Sequence, residues 1–164
     1  MTKTEQNLQE AFAGESQANR KYLAFAKQAE KEGYRQAAKL FRAAAEAETV
    51  HAHNHLKQLK GIKSTKENLE AAINGETFEF REMYPQMIKD AEAEGHKGAL
   101  LSFNFANEVE KTHANLYKKM LESLGSSEEI DYYVCEVCGH TAEGGAPDKC
   151  PVCGAKKEMF RKID

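Results

Sequence analysis

Two copies of the motif Glu-x-x-His occur in this chain, at Glu48–His51 and at Glu110–His113. Each copy lies in a stretch whose apolar residues recur with the period of a helix, so its Glu and His project from one face. One further glutamate lies upstream of each motif on a different helical stretch, at Glu15 and at Glu76. Carboxylate and imidazole groups together suit hard and borderline metal ions. Two such motifs, with one Glu from each of two other helices, indicate a dinuclear metal site in a four-helix bundle.

These carboxylates interrupt the apolar stripes of their helices, and Glu79 joins them in the third stretch. Burying one unpaired carboxylate costs several kcal/mol, so five at one depth require cations. The alternative is that they lie on solvated faces of a chain with 26 acidic residues. That explanation suits glutamates off the stripe, such as Glu5 and Glu10. It would need five independent coincidences to account for the set on the stripe, so the metal site is favoured.

A second motif typical of metal sites lies near the C-terminus. Two Cys-x-x-Cys-Gly segments there contain all four cysteines: Cys135, Cys138, Cys150 and Cys153. Four thiolates bind either zinc or a single iron, and the spacing alone does not choose between them. Iron is favoured because a dinuclear catalyst that cycles its oxidation state needs an electron relay, and zinc does not change valence. Two disulfides are the remaining alternative, but confinement to two Cys-x-x-Cys pairs fits a metal better and indicates a reducing, cytoplasmic environment.

Four helical stretches precede the cysteines, and glycines separate them. We predict helices over residues 4–31, 35–60, 66–94 and 96–124. Thr65 is expected to cap the third helix, and Pro85 to cause a kink or irregularity inside it. The predicted domains are a bundle over 1–125, a linker over 126–131 and a small four-cysteine domain over 132–164.

The helical part of the chain also repeats itself. An offset of 62 residues relates Tyr22 to Tyr84 and the first Glu-x-x-His motif to the second. Glu15 and Glu76 also correspond, but with an offset of 61 residues instead of 62. Glu79 has no counterpart in the first helix. The repeat predicts two helix pairs related by a pseudo-twofold axis, with a pair of metal ions on that axis.

The composition excludes several classes of partner. The net charge of −3 gives no basic footprint for nucleic acid or for an anionic membrane. No apolar run approaches a membrane span, and the first residues carry no apolar export segment.

Taken together, these motifs resemble those of the rubrerythrin family over essentially the whole chain. The segments that carry the resemblance are Ala13–Ser16, Glu48–His51, Gly75–Glu79, Glu82–Pro85, Glu110–His113 and the two Cys-x-x-Cys-Gly segments. The resemblance implies a mainly α fold, a ferritin-like four-helix bundle followed by a rubredoxin-like domain. It also implies an oxo-bridged di-iron centre and one iron bound by the four cysteines, with zinc as the alternative.

The resemblance further implies a role for each ligand. Glu48 and Glu110 would bridge the irons, Glu15 would bind one iron, and Glu76 with His113 would hold the other. Glu79 would bind the oxidised centre and His51 the reduced one.

Tyr22 and Tyr84 are interpreted as core aromatics whose hydroxyls face ligating carboxylates. The His that follows the first cysteine pair, His140, stands where rubredoxin-like domains often have an aromatic residue, and we do not expect it to be a ligand.

The implied activity is that of a peroxidase in oxidative stress defence, which reduces hydrogen peroxide to water. Its electrons would come from a rubredoxin or an NAD(P)H-dependent reductase. A ferritin-like ferroxidase that stores iron is the main alternative, and a zinc-binding module is a weaker one. Because the linker starts about 17 Å along the helix from His113, we expect the four-cysteine site to lie far from the di-iron site of its own chain. A head-to-tail homodimer, with or without exchanged helix pairs, would then bring the two sites together.

Overall fold

A computed structural model describes residues 1–126 and 128–164 of the chain. Its helices are α1 (Lys3–Lys31), α2 (Arg35–Gln58), α3 (Thr65–Phe78), a π-helical segment (Glu79–Met83), α4 (Tyr84–Ala93) and α5 (Lys97–Glu122). A small C-terminal region contains β1 (Tyr132–Cys135), β2 (Thr141–Glu143), a 3₁₀ turn (Lys157–Met159) and β3 (Phe160–Ile163). The helical stretches that we predicted agree with these bounds to within two residues.

By its contacts the chain divides into two compact units, residues 1–63 and residues 64–164. The first unit contains α1 and α2, and the second contains the remaining helices together with the four-cysteine region. The domain boundaries predicted at 125 and 132 stay a prediction, and Ser127 of the predicted linker lies outside the described residues.

In the first unit, α1 and α2 form an antiparallel hairpin closed by Gly33. This glycine has φ +86°, a left-handed conformation that ends α1 and lets the chain reverse. The buried side of the hairpin consists of alanines at Ala26, Ala29, Ala38, Ala45 and Ala52. Such small side chains let two helices approach closely, so the glutamates on α1 and α2 come within reach of a common ion.

The second unit begins at Ser64, whose side chain and Glu67 form a capping box at the start of α3. The predicted cap at Thr65 is therefore wrong by one residue. Thr65 is instead the first helical residue, because Ser64 has the extended backbone that an N-cap requires.

The irregularity predicted near Pro85 is present as the π-helical segment between α3 and α4. The Tyr84 N–H donates to the carbonyl of Glu79, five residues earlier. A π turn holds one residue more than an α turn, and Pro85 lacks the N–H that would continue the α pattern. The extra residue explains why the internal repeat slips by one position between Glu76 and Tyr84.

The C-terminal region is a three-stranded antiparallel sheet of order β2-β1-β3. Tyr133 on the central strand pairs with Ala142 on one side and with Lys162 on the other. Each Cys-x-x-Cys segment forms a tight turn, in which Gly139 N–H donates to Cys135 O and Gly154 N–H donates to Cys150 O. The first turn starts at the end of β1, whereas the second starts beside an isolated bridge between Lys149 and Lys156.

The four-cysteine region packs directly on α5 in the second unit. Lys119 on α5 forms an ion pair of 2.7 Å with Glu143 on β2, and a Cβ at Gly139 would lie 3.9 Å from Val109. The expectation that this region lies far from the metal ligands of its own chain is therefore wrong for α5. The chain folds back along the helix after residue 122, so helical rise from His113 overestimates the separation.

Candidate metal centres

The first candidate metal centre joins α1 to α2 in the first unit. Ligand atoms of Glu15, Glu48 and His51 all lie within 4.8 Å of one another. The Nδ1 atom of His51 lies 2.8 Å from Glu48 Oε2 and 4.0 Å from Glu15 Oε1. The Glu-x-x-His spacing sets the shorter distance, since residues three apart share one helix face.

The second centre has the same construction on α3 and α5. Ligand atoms of Glu76, Glu110 and His113 also lie within 4.8 Å of one another. The Nδ1 atom of His113 lies 2.7 Å from Glu110 Oε2 and 3.9 Å from Glu76 Oε1. This centre is the more enclosed of the two, with the His113 side chain 26% exposed and that of His51 54% exposed.

The carboxylates of the second centre repel one another. Burial, a hydrogen bond to Glu110 and the charges of Glu110 and Glu79 raise the pKa of Glu76 to about 7. Burial and the charge of Glu110 also raise the pKa of Glu79, which His113 opposes. A cation at this point would remove the repulsion and bind both carboxylate and imidazole ligands, so the donor set fits a transition metal.

Glu79 lies in the first turn of the π segment. It is not part of the three-ligand set of the second centre, although Glu110 and His113 both affect its pKa. This placement agrees with its interpretation as an additional carboxylate near the second centre, and its role as a ligand remains a prediction.

The two tyrosines of the repeat differ in their surroundings. Burial and the charges of Glu110, Glu79 and Glu76 raise the pKa of Tyr84, which places its hydroxyl in the field of the carboxylates. Tyr22 packs its ring against Phe25 and Phe41. In the described residues neither hydroxyl forms the expected hydrogen bond to a carboxylate.

Sequence reasoning missed Tyr117 on α5. Burial and the charges of Glu76 and Glu110 raise the pKa of this tyrosine, which therefore stays protonated beside the second centre. It lies four residues after His113, one helical turn further on, and that spacing was the available signal.

The four cysteines are free thiols that converge on one point, which excludes the two disulfides. The sulfur atoms of Cys135 and Cys153 are 3.7 Å apart, and those of Cys138 and Cys150 are 3.5 Å apart. Sulfur atoms bound tetrahedrally at 2.3 Å from a metal ion lie about 3.8 Å apart. The cysteines are therefore already arranged for a single tetrathiolate ion.

Metal binding must displace protons from these thiols. Burial raises the pKa of Cys138 and that of Cys153. For Cys150 burial acts in the same direction, but backbone N–H groups of Cys153 and Val152, together with side-chain hydrogen bonds from Cys138 and Cys153, outweigh it and lower the pKa. Backbone N–H groups directed at sulfur stabilise thiolate, as a tetrathiolate site requires.

Two residues after the first cysteine pair face α5. The His140 ring lies half-buried, edge-on to Phe160 at 6.5 Å between centroids, and its pKa is lowered by burial and by His113. The hydroxyl of Thr141 lies 3.0 Å from Nε2 of His113. No sequence pattern predicted this contact, which joins the cysteine region to a candidate metal ligand.

The raised pKa of Glu76 predicts a pH dependence in the metal-free protein. Because the folded pKa of about 7 exceeds the ordinary value of 4.5, the folded state holds the proton more tightly than the unfolded chain. The free energy of unfolding should therefore decrease as pH rises from 4.5 to 7 and then level off. Allowing for partial solvent exposure, we expect roughly 1–2 kcal/mol, or a few degrees in Tm, measured by thermal unfolding at pH 5.5 and 8.

The matched variant for this prediction is Glu76→Gln, which keeps a hydrogen-bonding side chain but does not titrate. Its Tm should change less over the same pH interval than that of the parent protein. Equal slopes for the two proteins would show that Glu76 is not the group responsible.

These sites and the fold define a class of protein, a mainly α ferritin-like metalloprotein with a rubredoxin-like four-cysteine region. The chain matches the family described as Rubrerythrin over residues 6–121. It also matches the domain described as Rubrerythrin, rubredoxin-like domain over residues 133–161. The chain belongs to the rubrerythrin family.

Individual relatives cover nearly the whole chain. Rubrerythrin of Porphyromonas gingivalis is 38% identical, over 99% of this chain and 90% of the relative. Rubrerythrin-2 of Clostridium acetobutylicum is 35% identical, over 94% of this chain and 93% of the relative. A solved structure of fully reduced, all-ferrous nigerythrin aligns with a TM-score of 0.60 at 33% identity, over 99% of this chain and 88% of that one.

The comparisons and the two kinds of ligand cluster agree on the cofactors. The supported cofactors are ferritin-like di-iron, for which each unit contributes one Glu/His set, and one iron at the four cysteines. The predicted fold class and family are confirmed. In the described residues, no helix is both long enough and apolar enough to cross a membrane.

Proposed function

We propose that this protein is a non-haem di-iron peroxidase that reduces hydrogen peroxide to water in defence against oxidative stress. Its electrons would pass through the tetrathiolate iron. The observation that carries the proposal is the joining of two redox-capable sites in one compact unit, where His113 of the second Glu/His set contacts Thr141 of the cysteine region. An iron-storage protein has no need of such an electron relay.

The reaction takes hydrogen peroxide, two electrons and two protons to two molecules of water. When bound, the iron pair supplies the two electrons and acts as a Lewis acid toward the peroxide oxygens. Glu48 and Glu110 would bridge the pair, Glu15 would bind one ion, and Glu76 with His113 would bind the other. Glu79 would ligate the oxidised state and His51 the reduced state.

Two tyrosine hydroxyls would donate hydrogen bonds near the iron pair. Tyr84 remains a hydroxyl donor at neutral pH, because burial and three neighbouring carboxylates raise its pKa. It can orient a ligating carboxylate by donating a hydrogen bond, and Tyr22 would have the matching role in the first half of the repeat.

Replacing Glu79 with Ala should slow peroxide turnover at least about tenfold, because the oxidised centre would lose one ligand. Iron content should change little, since Glu76, Glu110 and His113 remain. The measurement is peroxide consumption by the iron-loaded variant under anaerobic conditions.

The control for this variant is Glu82→Ala, which removes an exposed carboxylate from the same π segment. Turnover by Glu82→Ala should equal that of the parent protein. If Glu79→Ala also turned over at the parental rate, ligand exchange at this position would be unnecessary.

One anaerobic experiment tests the proposed function. Iron and zinc are counted per chain, the protein is reduced, and it is mixed with either peroxide or air. The proposal predicts faster oxidation by peroxide than by air, followed by oxidation of the iron–thiolate chromophore. Preferential reaction with air and accumulation of ferric mineral would instead establish a ferroxidase, and zinc throughout would establish a binding module.

We also propose the protein's partners and location. A rubredoxin or an NAD(P)H-dependent reductase would supply the electrons, and the protein would act in the cytoplasm. A homodimer, with or without exchanged helix pairs, is supported by large apolar side chains that stay about half exposed or more, such as Phe25, Leu40 and Val50. Light scattering should give about twice the chain mass of 18.4 kDa, and a single chain mass would contradict the dimer.

A further inference from the structure

The two ring nitrogens of His113 face different partners. Nδ1 lies beside the carboxylates of Glu110 and Glu76, at 2.7 and 3.9 Å. Nε2 lies 3.0 Å from Oγ1 of Thr141, which follows Cys138 by three residues. The imidazole therefore lies between the second metal centre and the first turn of the cysteine region.

Ligation fixes the direction of the hydrogen bonds. With Nδ1 of His113 as the ligand atom for a metal ion, Nε2 would carry the ring proton and donate a hydrogen bond to Thr141 Oγ1. The Thr141 hydroxyl can in turn donate to the carbonyl of Gly139 at 3.4 Å. Gly139 follows Cys138 directly, so two hydrogen bonds connect the residue next to a cysteine ligand to the imidazole of His113.

The first half of the internal repeat has no equivalent arrangement. His51 presents Nδ1 to Glu48 and Glu15 in the same way. In the described residues its Nε2 has no hydrogen-bond partner, and its side chain is about twice as exposed as that of His113. Of the two matching histidines, only His113 therefore has a hydrogen-bond partner at Nε2 among the described residues, and that partner belongs to the four-cysteine region.

We propose that Thr141 is a positioning residue that selects Nδ1 of His113 as the ligand atom and completes a hydrogen-bonded bridge between the two metal sites of one chain. This inference rests on the proposed function, because the bridge matters only if electrons pass between the sites. Each passage oxidises the tetrathiolate iron from ferrous to ferric and reduces the di-iron pair by one electron. Two such electron transfers accompany the reduction of each peroxide molecule. The hydrogen-bonding protons stay on Nε2 of His113 and on the Thr141 hydroxyl.

The test compares Thr141→Val with Thr141→Ser in the full-length, iron-loaded protein. Valine keeps the shape and loses the hydroxyl, whereas serine keeps the hydroxyl. Thr141 lines a largely apolar cavity of about 310 Å³ together with Tyr117, Met120 and Tyr132, so valine can be accommodated. Thr112→Val is the matched control, because Thr112 is also half-buried and adjoins His113 but has no side-chain hydrogen bond among the described residues.

Two measurements report on the bridge independently of turnover. The first is the rate at which the ferrous tetrathiolate iron becomes ferric after fully reduced protein is mixed anaerobically with peroxide, followed by absorbance. The second is the reduction potential of the di-iron centre. In Thr141→Val we expect the rate to fall about tenfold or more and the potential to shift, with parental iron content and an unchanged tetrathiolate spectrum. Thr141→Ser should recover the rate to within about threefold, and Thr112→Val should match the parent.

The inference is overturned if Thr141→Val transfers electrons at the parental rate with an unchanged potential. Equal slowing in Thr141→Val and Thr112→Val would overturn it too, since the effect would then be one of packing. Failure of the proposed function gives a different result, in which the reduced di-iron centre of the parent protein itself does not react with peroxide.

Discussion

Replacing Glu110 with Gln should empty the di-iron site and abolish peroxide reduction. Glu110 is the carboxylate in contact with most other groups of the second centre. It lies 2.7 Å from Nδ1 of His113, and its charge raises the pKa values of Glu76, Glu79 and Tyr84. An amide lacks the charge and the second ligand oxygen that a bridge needs. Iron per chain should fall from about three to about one, and peroxide turnover at least about a hundredfold, as measured by iron analysis and by anaerobic peroxide consumption.

The matched control is Glu108→Gln, two residues earlier on α5. The Glu108 side chain is 56% exposed and pairs with Lys111, so its charge lies on the solvated face of the helix. This variant should keep parental iron content and activity. If Glu110→Gln retained the full iron content, Glu110 would not be a ligand and the proposed site would be incorrect.

Replacing Cys150 with Ser should block the supply of electrons to the di-iron centre without blocking the oxidation of that centre by peroxide. Cys150 is buried and lies 3.5 Å from Cys138, so its loss opens the tetrathiolate site. Because metal binding contributes directly to the folding of so small a region, the strands around it should also loosen. Steady turnover with a reductase should fall at least about tenfold, while one oxidation of chemically reduced di-iron by peroxide should continue.

Glu136→Gln is the control for this variant, since Glu136 lies between two cysteines but is exposed and pairs only weakly with Arg161. It should retain the iron–thiolate absorbance and steady turnover. Unchanged steady turnover in Cys150→Ser would show that electrons reach the di-iron centre without the tetrathiolate iron.

Much of the fold was predictable because local physics determines it. Glycines at positions 33 and 95 have the left-handed φ that ends a helix, and the apolar period located each helix to within two residues. The Glu-x-x-His motifs predicted their own geometry, since spacing along a helix sets the distance from Glu to His. The same holds for the cysteines, whose paired turns depend on residues close in sequence.

The π segment was half predictable. Pro85 indicated an irregularity, and the repeat slipped by one residue between Glu76 and Tyr84. Together these two observations specify one inserted residue upstream of the proline. The sequence does not say which turn accommodates that residue, because this depends on how α4 packs on α5.

Contacts between distant segments could not be predicted. Thr141 and His113 are separated by 28 residues, and their hydrogen bond depends on how the sheet docks against α5. The spacing from His113 to the linker suggested a large separation, because helical rise takes no account of the chain folding back. Burial was also less complete than the apolar stripes implied, since His51 keeps 54% of its side-chain surface exposed.

The most direct test of the account is anomalous X-ray scattering, measured at the iron and zinc edges, from crystals grown anaerobically with excess Fe(II). We predict two iron ions ligated by the glutamates and histidines of the repeated motifs, and a third ligated by the four cysteines. Glutamate side chains directed into solvent, with no iron signal beside His51 or His113, would contradict it.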